Sequence, residues 1–261
     1  MVNPQIIFFD IDDTLYRKKS DFLPPSLQEV FPRLRAKHIR SAIASGRSPA
    51  VFPPQVSQLI RDQAIDLVIG INGQYCRQGD RVISHRPLAA ATLEAIVKHC
   101  ADLKLPHGFV GAEAVAVSED NAIVHGALAN IGPYLVEPDY YRRRPVYQLL
   151  VFVAAAQEKE LQPLETLGFR SVRWHEHAVD LLPRDASKAR AIRELCAGLA
   201  IDPQNAMAFG DGLNDLEMAE TVGFFVAMED GHPQLKARAD FLAPPVEADG
   251  ILRALEELKV I

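Results

Sequence analysis

Ile6-Ile7-Phe8-Phe9-Asp10-Ile11-Asp12-Asp13-Thr14-Leu15 is the stretch that decides the fold. Its first four residues form an unbroken apolar run, the mark of a strand buried on both faces. The run stops at three carboxylates within four residues. A solvated acidic turn or a helix cap accounts for such a cluster only in part, because capping requires a single Asp or Ser. Carboxylates crowded together raise one another's pKa unless a cation joins them. A magnesium ion suits the role, since it takes one or two carboxylate oxygens and keeps several waters.

Working outward, short apolar runs recur at 39–44, 67–71, 206–209, 224–226 and, at an edge, 241–243. Between them lie stretches of helical character at 25–37, 50–63, 187–199, 213–222 and 233–239. The final helix takes its apolar stripe from Ile251, Leu252, Leu255 and Leu258. Alternation of this kind predicts an α/β fold: a Rossmann-like parallel sheet with helices on both faces. The middle of the chain differs. Gly79-Asp80 is a hairpin signal between Tyr75 and Val82. A helix at 89–103, extended pieces at 109–117 and 146–154, a helix at 157–167 and an extended stretch at 169–182 follow. The expected organisation is therefore a core made of 1–80 and 183–261, with a smaller α+β domain inserted at 81–182.

Composition narrows the function. The chain has 261 residues, 48% hydrophobic and 24% charged, with a formal net charge of −6. That is ordinary for a globular protein, and the acidic balance gives no support for nucleic-acid binding. Cys76, Cys100 and Cys196 are odd in number and far apart, so three buried thiols are expected instead of a disulfide framework. Residues 1–9 lack a basic n-region and a long apolar run, and no stretch approaches a membrane span. The reading is a cytoplasmic protein without membrane partners; its oligomeric state stays open.

Four expected core strands each end at a polar group: Asp10, Ser45, Asn72 and the pair Gly210-Asp211. In an open parallel sheet ligands bind beyond the carboxyl ends of the strands, so these distant residues point at one site. Glycines on either side of Asp211 allow a tight turn, which makes Asp211 a metal candidate. Asp215, four residues on, either supports it or serves the dipole of the helix it opens. Ser45 and Gly46 offer a hydroxyl and an exposed N–H for a phosphate, or simply turn the chain. Lys188 stands at the start of a helix whose N-cap is Asp185 or Ser187. A cation there opposes the helix dipole, a local violation expected at a functional site.

The set Asp10-x-Asp12-x-Thr14, Ser45, Lys188 and Gly210-Asp211-x-x-Asn214-Asp215 resembles the four motifs of the haloacid dehalogenase superfamily. Ala44-Ser45-Gly46-Arg47, Asn72-Gly73, Leu182-Pro183 before Ser187-Lys188, and the tail from Ala227-Met228-Glu229-Asp230 to Asp249-Gly250 narrow the resemblance to the Cof-type phosphatases with a C2-type cap. The chain departs from that pattern at Asp13, where glycine is usual, and at Ser45, where threonine is common.

The resemblance implies that Asp10 is a nucleophile forming an aspartyl phosphate, with Asp12 as general acid and base. It implies magnesium held by Asp10, Asp12 and Asp211 with Asp215 in support, and phosphate held by Ser45, Gly46, Lys188 and Asn214. Arg47 and Asn72 would face the substrate or brace the loops. The substrate would be a small phosphorylated metabolite: a sugar phosphate, a nucleotide or a phosphorylated cofactor. Phosphomutase or phosphotransferase chemistry shares the aspartyl phosphate and stays open. A non-enzymatic phospho-aspartate signalling module fits less well, because Asp12 would shorten the life of a signal. In the cap, His175 and His177 fall at period two on one expected strand face, and Arg142 lies in an arginine run. A plain sheet face and a solvated loop are the alternatives to substrate contact there.

Overall fold

The computed structural model describes residues 3–261; the first two residues of the expected core segment lie outside the described residues. The chain divides into two compact units. The first takes in the chain through Gly46, then Pro53–Ser84 and Ser187–Ile261. The second takes in Arg47–Phe52 and His85–Ala186.

In chain order the first unit begins with β1 (Ile6–Phe9), α1 (Leu27–Ala36), β2 (Arg40–Ala44), α2 (Pro54–Asp62), β3 (Leu67–Gly70), β4 (Tyr75–Gln78) and β5 (Arg81–His85). The second unit supplies α3 (Ala90–Asp102), β6 (His107–Val110), β7 (Val115–Val117), α4 (Ala122–Leu128), β8 (Leu135–Val136), β9 (Gln148–Val151), α5 (Gln162–Glu165), β10 (Phe169–His175) and β11 (Ala178–Pro183). The chain then returns through α6 (Lys188–Gly198), β12 (Ala206–Gly210), α7 (Leu216–Ala219), β13 (Phe224–Met228), α8 (Pro233–Lys236), β14 (Phe241–Ala243) and α9 (Gly250–Glu257).

The first unit holds an eight-stranded sheet in the order β14-β13-β12-β1-β2-β3-β4-β5. Its pairs from β14 to β3 are parallel, and β4 returns antiparallel to β3. All four residues of β1 are fully buried, as the unbroken apolar run requires of a central strand. Ile6 and Phe8 face one core with Ile192, Leu195 and Cys196 of α6 and Met218 of α7. Phe9 faces the other way, stacked on Phe209 with centroids 5.3 Å apart and edge-on to Phe31 of α1 at 5.5 Å. Truncating such a ring to alanine costs about 3–5 kcal/mol.

The second unit holds a six-stranded sheet, β10-β11-β9-β6-β7-β8, antiparallel except for the β7–β8 pair. Leu93, Ile96 and Cys100 of α3 form one core with Phe109, Leu149 and Leu181 of the sheet. The unit runs over 85–186 instead of 81–182, because β5 stays in the first sheet as its edge strand. Arg47–Phe52 also belongs to it: Ser48 Oγ donates to Gly111 O at 2.6 Å, and Arg47 donates to Val51 O and Ile131 O.

Several elements differ from the sequence expectation. The helix expected at 50–63 is broken, since Phe52 precedes proline and adopts an extended conformation. A 3-10 turn, Pro49–Val51, precedes the break and α2 follows it. The stretch at 157–167 is divided: it begins within a 3-10 helix, Ala155–Leu161, and continues as the short α5, with Pro163 in its first turn. The helix α4 was not expected; Asn121 Oδ1, which accepts from the N–H groups of Ile123 and Val124, is the cap that signals it. The three cysteines are buried free thiols. Among the described residues no helix is long and apolar enough to cross a membrane.

Candidate active site

The register of the first sheet sets its strand ends level. Phe9 pairs with Phe209 on one side and Ile43 on the other, and Ala44 pairs with Ile69. Asp10, Gly210-Asp211, Ser45 and the turn at Asn72 therefore emerge along one edge of the sheet. Asp10 N–H still donates to Phe209 O at 3.1 Å, and Ser45 N–H to Ile69 O at 2.9 Å, so both residues are held by the last rungs of the ladder.

Lys188 crosses to this edge from the first turn of α6. Its Nζ donates to Asp10 Oδ1 at 2.6 Å and to Asp215 Oδ1 at 2.7 Å. Asp10 is 5% exposed, Lys188 2% and Asp215 0%, so these are buried ion pairs. The cation that opposes the α6 dipole is offset by two carboxylates brought from other strands. Ser187 is the cap of α6: its Oγ accepts from Arg190 N–H at 3.2 Å and donates to Glu217. Burial alone would lower the Lys188 pKa; Asp10 and Asp215 outweigh it and hold the ammonium charged.

Asp215 also folds the second acidic loop. Its Oδ2 accepts from Asp211 N–H and Gly212 N–H, both at 3.0 Å. A Cβ at Gly210 would lie 2.5 Å from that oxygen, which is why glycine stands there. Asp211 is held further by Thr14 Oγ1, 3.4 Å from Asp211 Oδ1, and by His232 N–H on Asp211 O at 2.7 Å. Thr14 is 1% exposed, and its link to Asp211 has no local signal in the sequence.

Among the described residues, Asp10, Asp211 and Asp215 are the group whose ligand atoms approach one another closely enough for a metal, within 4.8 Å. Hard carboxylate oxygens suit a hard divalent cation. Burial pushes Asp10 up to about 7, helped by Asp215 and Asp12 and opposed by Lys188. Burial pushes Asp211 up to about 8, helped by Asp10, Asp215 and Asp13. Three carboxylates with one lysine leave excess negative charge, which a bound cation would neutralise; the residues present fit a divalent metal.

The phosphate-candidate residues meet beside this cluster. A side chain at Gly46 would lie 3.0 Å from Asn72 Oδ1 and 3.4 Å from Asn214 Nδ2, so Gly46, Asn72 and Asn214 converge. The chain reaches Asn72 through a left-handed turn in which Ile71, Asn72 and Gly73 all have positive φ. For β-branched Ile71 this is strained, and such strain persists where the surroundings over-determine it. Arg190 Nη2 supplies part of that constraint, donating to Gly73 O at 3.0 Å and Gln74 Oε1 at 2.6 Å. Gly73 packs against Ser187 so closely that a Cβ would fall 2.1 Å from Ser187 O. The turn after β3 and the start of α6 are thereby joined. Arg190 was not singled out from the sequence; its i+2 offset from the helix-opening Lys188 is the only hint.

The remaining residues named from the sequence belong to the second unit. The Arg47 guanidinium is engaged with the carbonyls of Val51 and Ile131 in the second unit. β10 ends at His175 and His177 sits in the turn before β11, so the two do not share a strand face. Their rings are 6.1 Å apart. Arg142 pairs with Asp139 at 3.2 Å, and Arg144 with Glu137 at 2.7 Å.

A doubly wound core that gathers buried carboxylates and a lysine beyond its strand ends is built for reaction at an anionic group. The chain belongs to the haloacid dehalogenase-like hydrolases, whose family model matches residues 7–255. Within that family it is a phosphoric monoester hydrolase of the Cof type. It is 34% identical over 263 residues to a putative phosphatase, YkrA, of Bacillus subtilis, covering 100% of both chains. It is 36% identical over 259 residues to a putative bifunctional phosphatase/peptidyl-prolyl cis-trans isomerase of Streptococcus pyogenes. That match takes in 98% of this chain but 54% of the streptococcal protein, so the chain spans about half the length of that relative. Among solved structures it is similar to the HAD subclass IIB sugar phosphatase BT4131, with 28% identity, a TM-score of 0.84 and coverage of 98% of this chain and 99% of the other.

Proposed function

We propose that this chain is a magnesium-dependent phosphatase acting on a small sugar phosphate through an aspartyl phosphate on Asp10. The observation that carries the reading is the buried Asp10–Lys188–Asp215 cluster beside Asp211. Of the substrate classes open from the sequence, sugar phosphates come first because the solved relative is a sugar phosphatase. Nucleotides and phosphorylated cofactors are the classes to test against it.

In the first step an Asp10 carboxylate oxygen attacks phosphorus. The bond from phosphorus to the sugar oxygen breaks, and Asp12 gives its proton to the departing alkoxide. In the second step Asp12 takes a proton from water as the water oxygen attacks the same phosphorus. The acyl-phosphate P–O bond then breaks, releasing inorganic phosphate and restoring Asp10. Lys188 fixes the nucleophile through Oδ1 and stands ready for a phosphoryl oxygen, which the Ser45 hydroxyl, Gly46 N–H and Asn214 would share. Magnesium, held by Asp10, Asp211 and the Asp12 backbone carbonyl with Asp215 in support, would supply the positive charge that lets two anions meet. The second unit, as the cap, would select the substrate and keep water out.

The test is hydrolysis of p-nitrophenyl phosphate and a panel of sugar phosphates with magnesium, with and without chelator. Activity is expected to vanish on chelation and in Asp10→Asn, whose circular dichroism spectrum is expected to match that of the wild type. Wild-type protein quenched in turnover is expected to carry one phosphoryl group by mass spectrometry. Undiminished turnover in Asp10→Asn would refute the nucleophile.

A further inference from the structure

One cation outside the proposed reaction centre has an unusual set of partners. Arg17 Nη1 donates to Asp13 Oδ1 at 2.9 Å. Its Nη2 donates to Asp230 and, at 3.0 Å, to Glu247, and its Nε donates to the other Glu247 oxygen at 2.9 Å. The Arg17 side chain is 14% exposed, whereas the three carboxylates are 36–51% exposed. A single guanidinium therefore binds three acidic groups from three segments, one of them bidentately, a geometry lysine cannot reproduce. Those carboxylates raise the Arg17 pKa despite the opposing effect of burial.

Each segment matters. Asp13 lies between Asp12 and Thr14 and has a left-handed φ of 54°, which Asp tolerates and most residues do not. Its N–H donates to Tyr16 O at 2.7 Å, and Asp12 and Tyr16 form a bridge, closing the turn that presents Asp12. Asp230 lies in the loop that backs Asp211: His232 N–H donates to Asp211 O, and a Cβ at Gly231 would fall 2.8 Å from the same oxygen. Glu247 belongs to the 3-10 turn Val246–Ala248 before α9.

We infer that Arg17 is a positioning residue, a clamp that joins the turn presenting Asp12 to the loop backing Asp211 and so sets where the proton donor stands. This inference rests on the proposed reaction, in which Asp12 protonates the leaving group. Neutralising Arg17 leaves Asp13, Asp230 and Glu247 facing one another without a cation, and their repulsion opens the turn. A displaced Asp12 harms departure of a poor leaving group far more than that of p-nitrophenolate, which leaves with little help from an acid.

The experiment compares wild type, Arg17→Met and Arg17→Lys, all full-length. kcat/KM, which reports the first chemical step, is measured for p-nitrophenyl phosphate and for a hexose 6-phosphate. In Arg17→Met the value for the sugar phosphate is expected to fall about 30-fold or more and that for p-nitrophenyl phosphate less than about 3-fold. Arg17→Lys is expected to recover only part of the loss. Equal losses on both substrates, or none on either, would overturn the clamp. Hydrogen–deuterium exchange gives a reading independent of activity: protection is expected to fall in Arg17→Met at both 11–17 and 229–232. Unchanged exchange at 229–232 also overturns it. Wild type inactive on every phosphate ester, with both segments loosened in the variant, would refute the proposed function and the acid-positioning role while leaving the tie between the segments in place.

Discussion

Replacing Lys188 with methionine is the sharpest test of the buried cluster. Methionine keeps much of the volume and removes the charge. Lys188 bridges Asp10 at 2.6 Å and Asp215 at 2.7 Å, with all three groups nearly or fully buried. Removing one partner of a buried ion pair costs about 3–5 kcal/mol, because the other charge is left uncompensated. Here one cation serves two carboxylates, so the loss is counted once. Proton uptake caps it: Asp10 already sits near 7, so it neutralises at modest cost near neutral pH. The expected loss for the metal-free variant is about 2–4 kcal/mol at pH 7.5. For a chain of this size that is a fall in Tm of about 5–12 °C. Near pH 5 the difference from wild type should shrink, since Asp10 holds a proton in both proteins. Activity should fall further than stability explains. Losing one preorganised donor to a transferring group costs about 10²–10³-fold in kcat. The assays are urea unfolding at pH 5 and 7.5 and steady-state hydrolysis of p-nitrophenyl phosphate. A variant within about 1 kcal/mol of wild type at pH 7.5 and within tenfold in kcat would refute the reasoning.

Three further outcomes follow from the geometry. Asp10 and Asp211 have folded pKa values raised to about 7 and about 8 from 3.8, so the folded state keeps protons that the unfolded chain has lost. Metal-free stability should therefore fall as pH rises from about 4 to about 8, and magnesium should raise Tm more at pH 8 than at pH 5, read by scanning calorimetry. In the second unit, burial lowers the pKa of His107, whose Nδ1 lies 3.1 Å from Leu105 O. The unfolded chain then binds the proton first, so stability is full above 6.5 and declines as pH drops below it; His107→Phe should flatten that slope in thermal melts. At Gly73, alanine would bring Cβ within 2.1 Å of Ser187 O at a φ of +84°. Gly73→Ala should cost at least about 2 kcal/mol in urea unfolding and lower kcat by displacing the start of α6.

Much of the fold was legible because periodicity and burial are local properties. The run Ile6–Phe9 reads as a central strand from its composition alone, and β14 matches the edge strand expected at 241–243. The break at Phe52 comes from the proline that follows it, where a restricted preceding residue outweighs helical periodicity; the 3-10 character of Ala155–Leu161 has no comparable signal in the sequence. His177 was read onto a strand because alternation does not reveal where a hairpin turns.

At the site the same division holds. From the sequence alone came the expectation that apolar runs lead into Asp10, Ser45, Asn72 and Asp211, since a buried run must stop where polar groups need solvent or partners. The sequence also marked Lys188 as misplaced for its helix. Only the tertiary structure decided the partners: Lys188 meets Asp10 across 178 residues of chain, and Arg17 meets Glu247 across 230. The physical reason is that strand and helix formation are driven by neighbours a few residues away. The pairing of charges is fixed by which strand ends the parallel register brings level, and no local pattern records that.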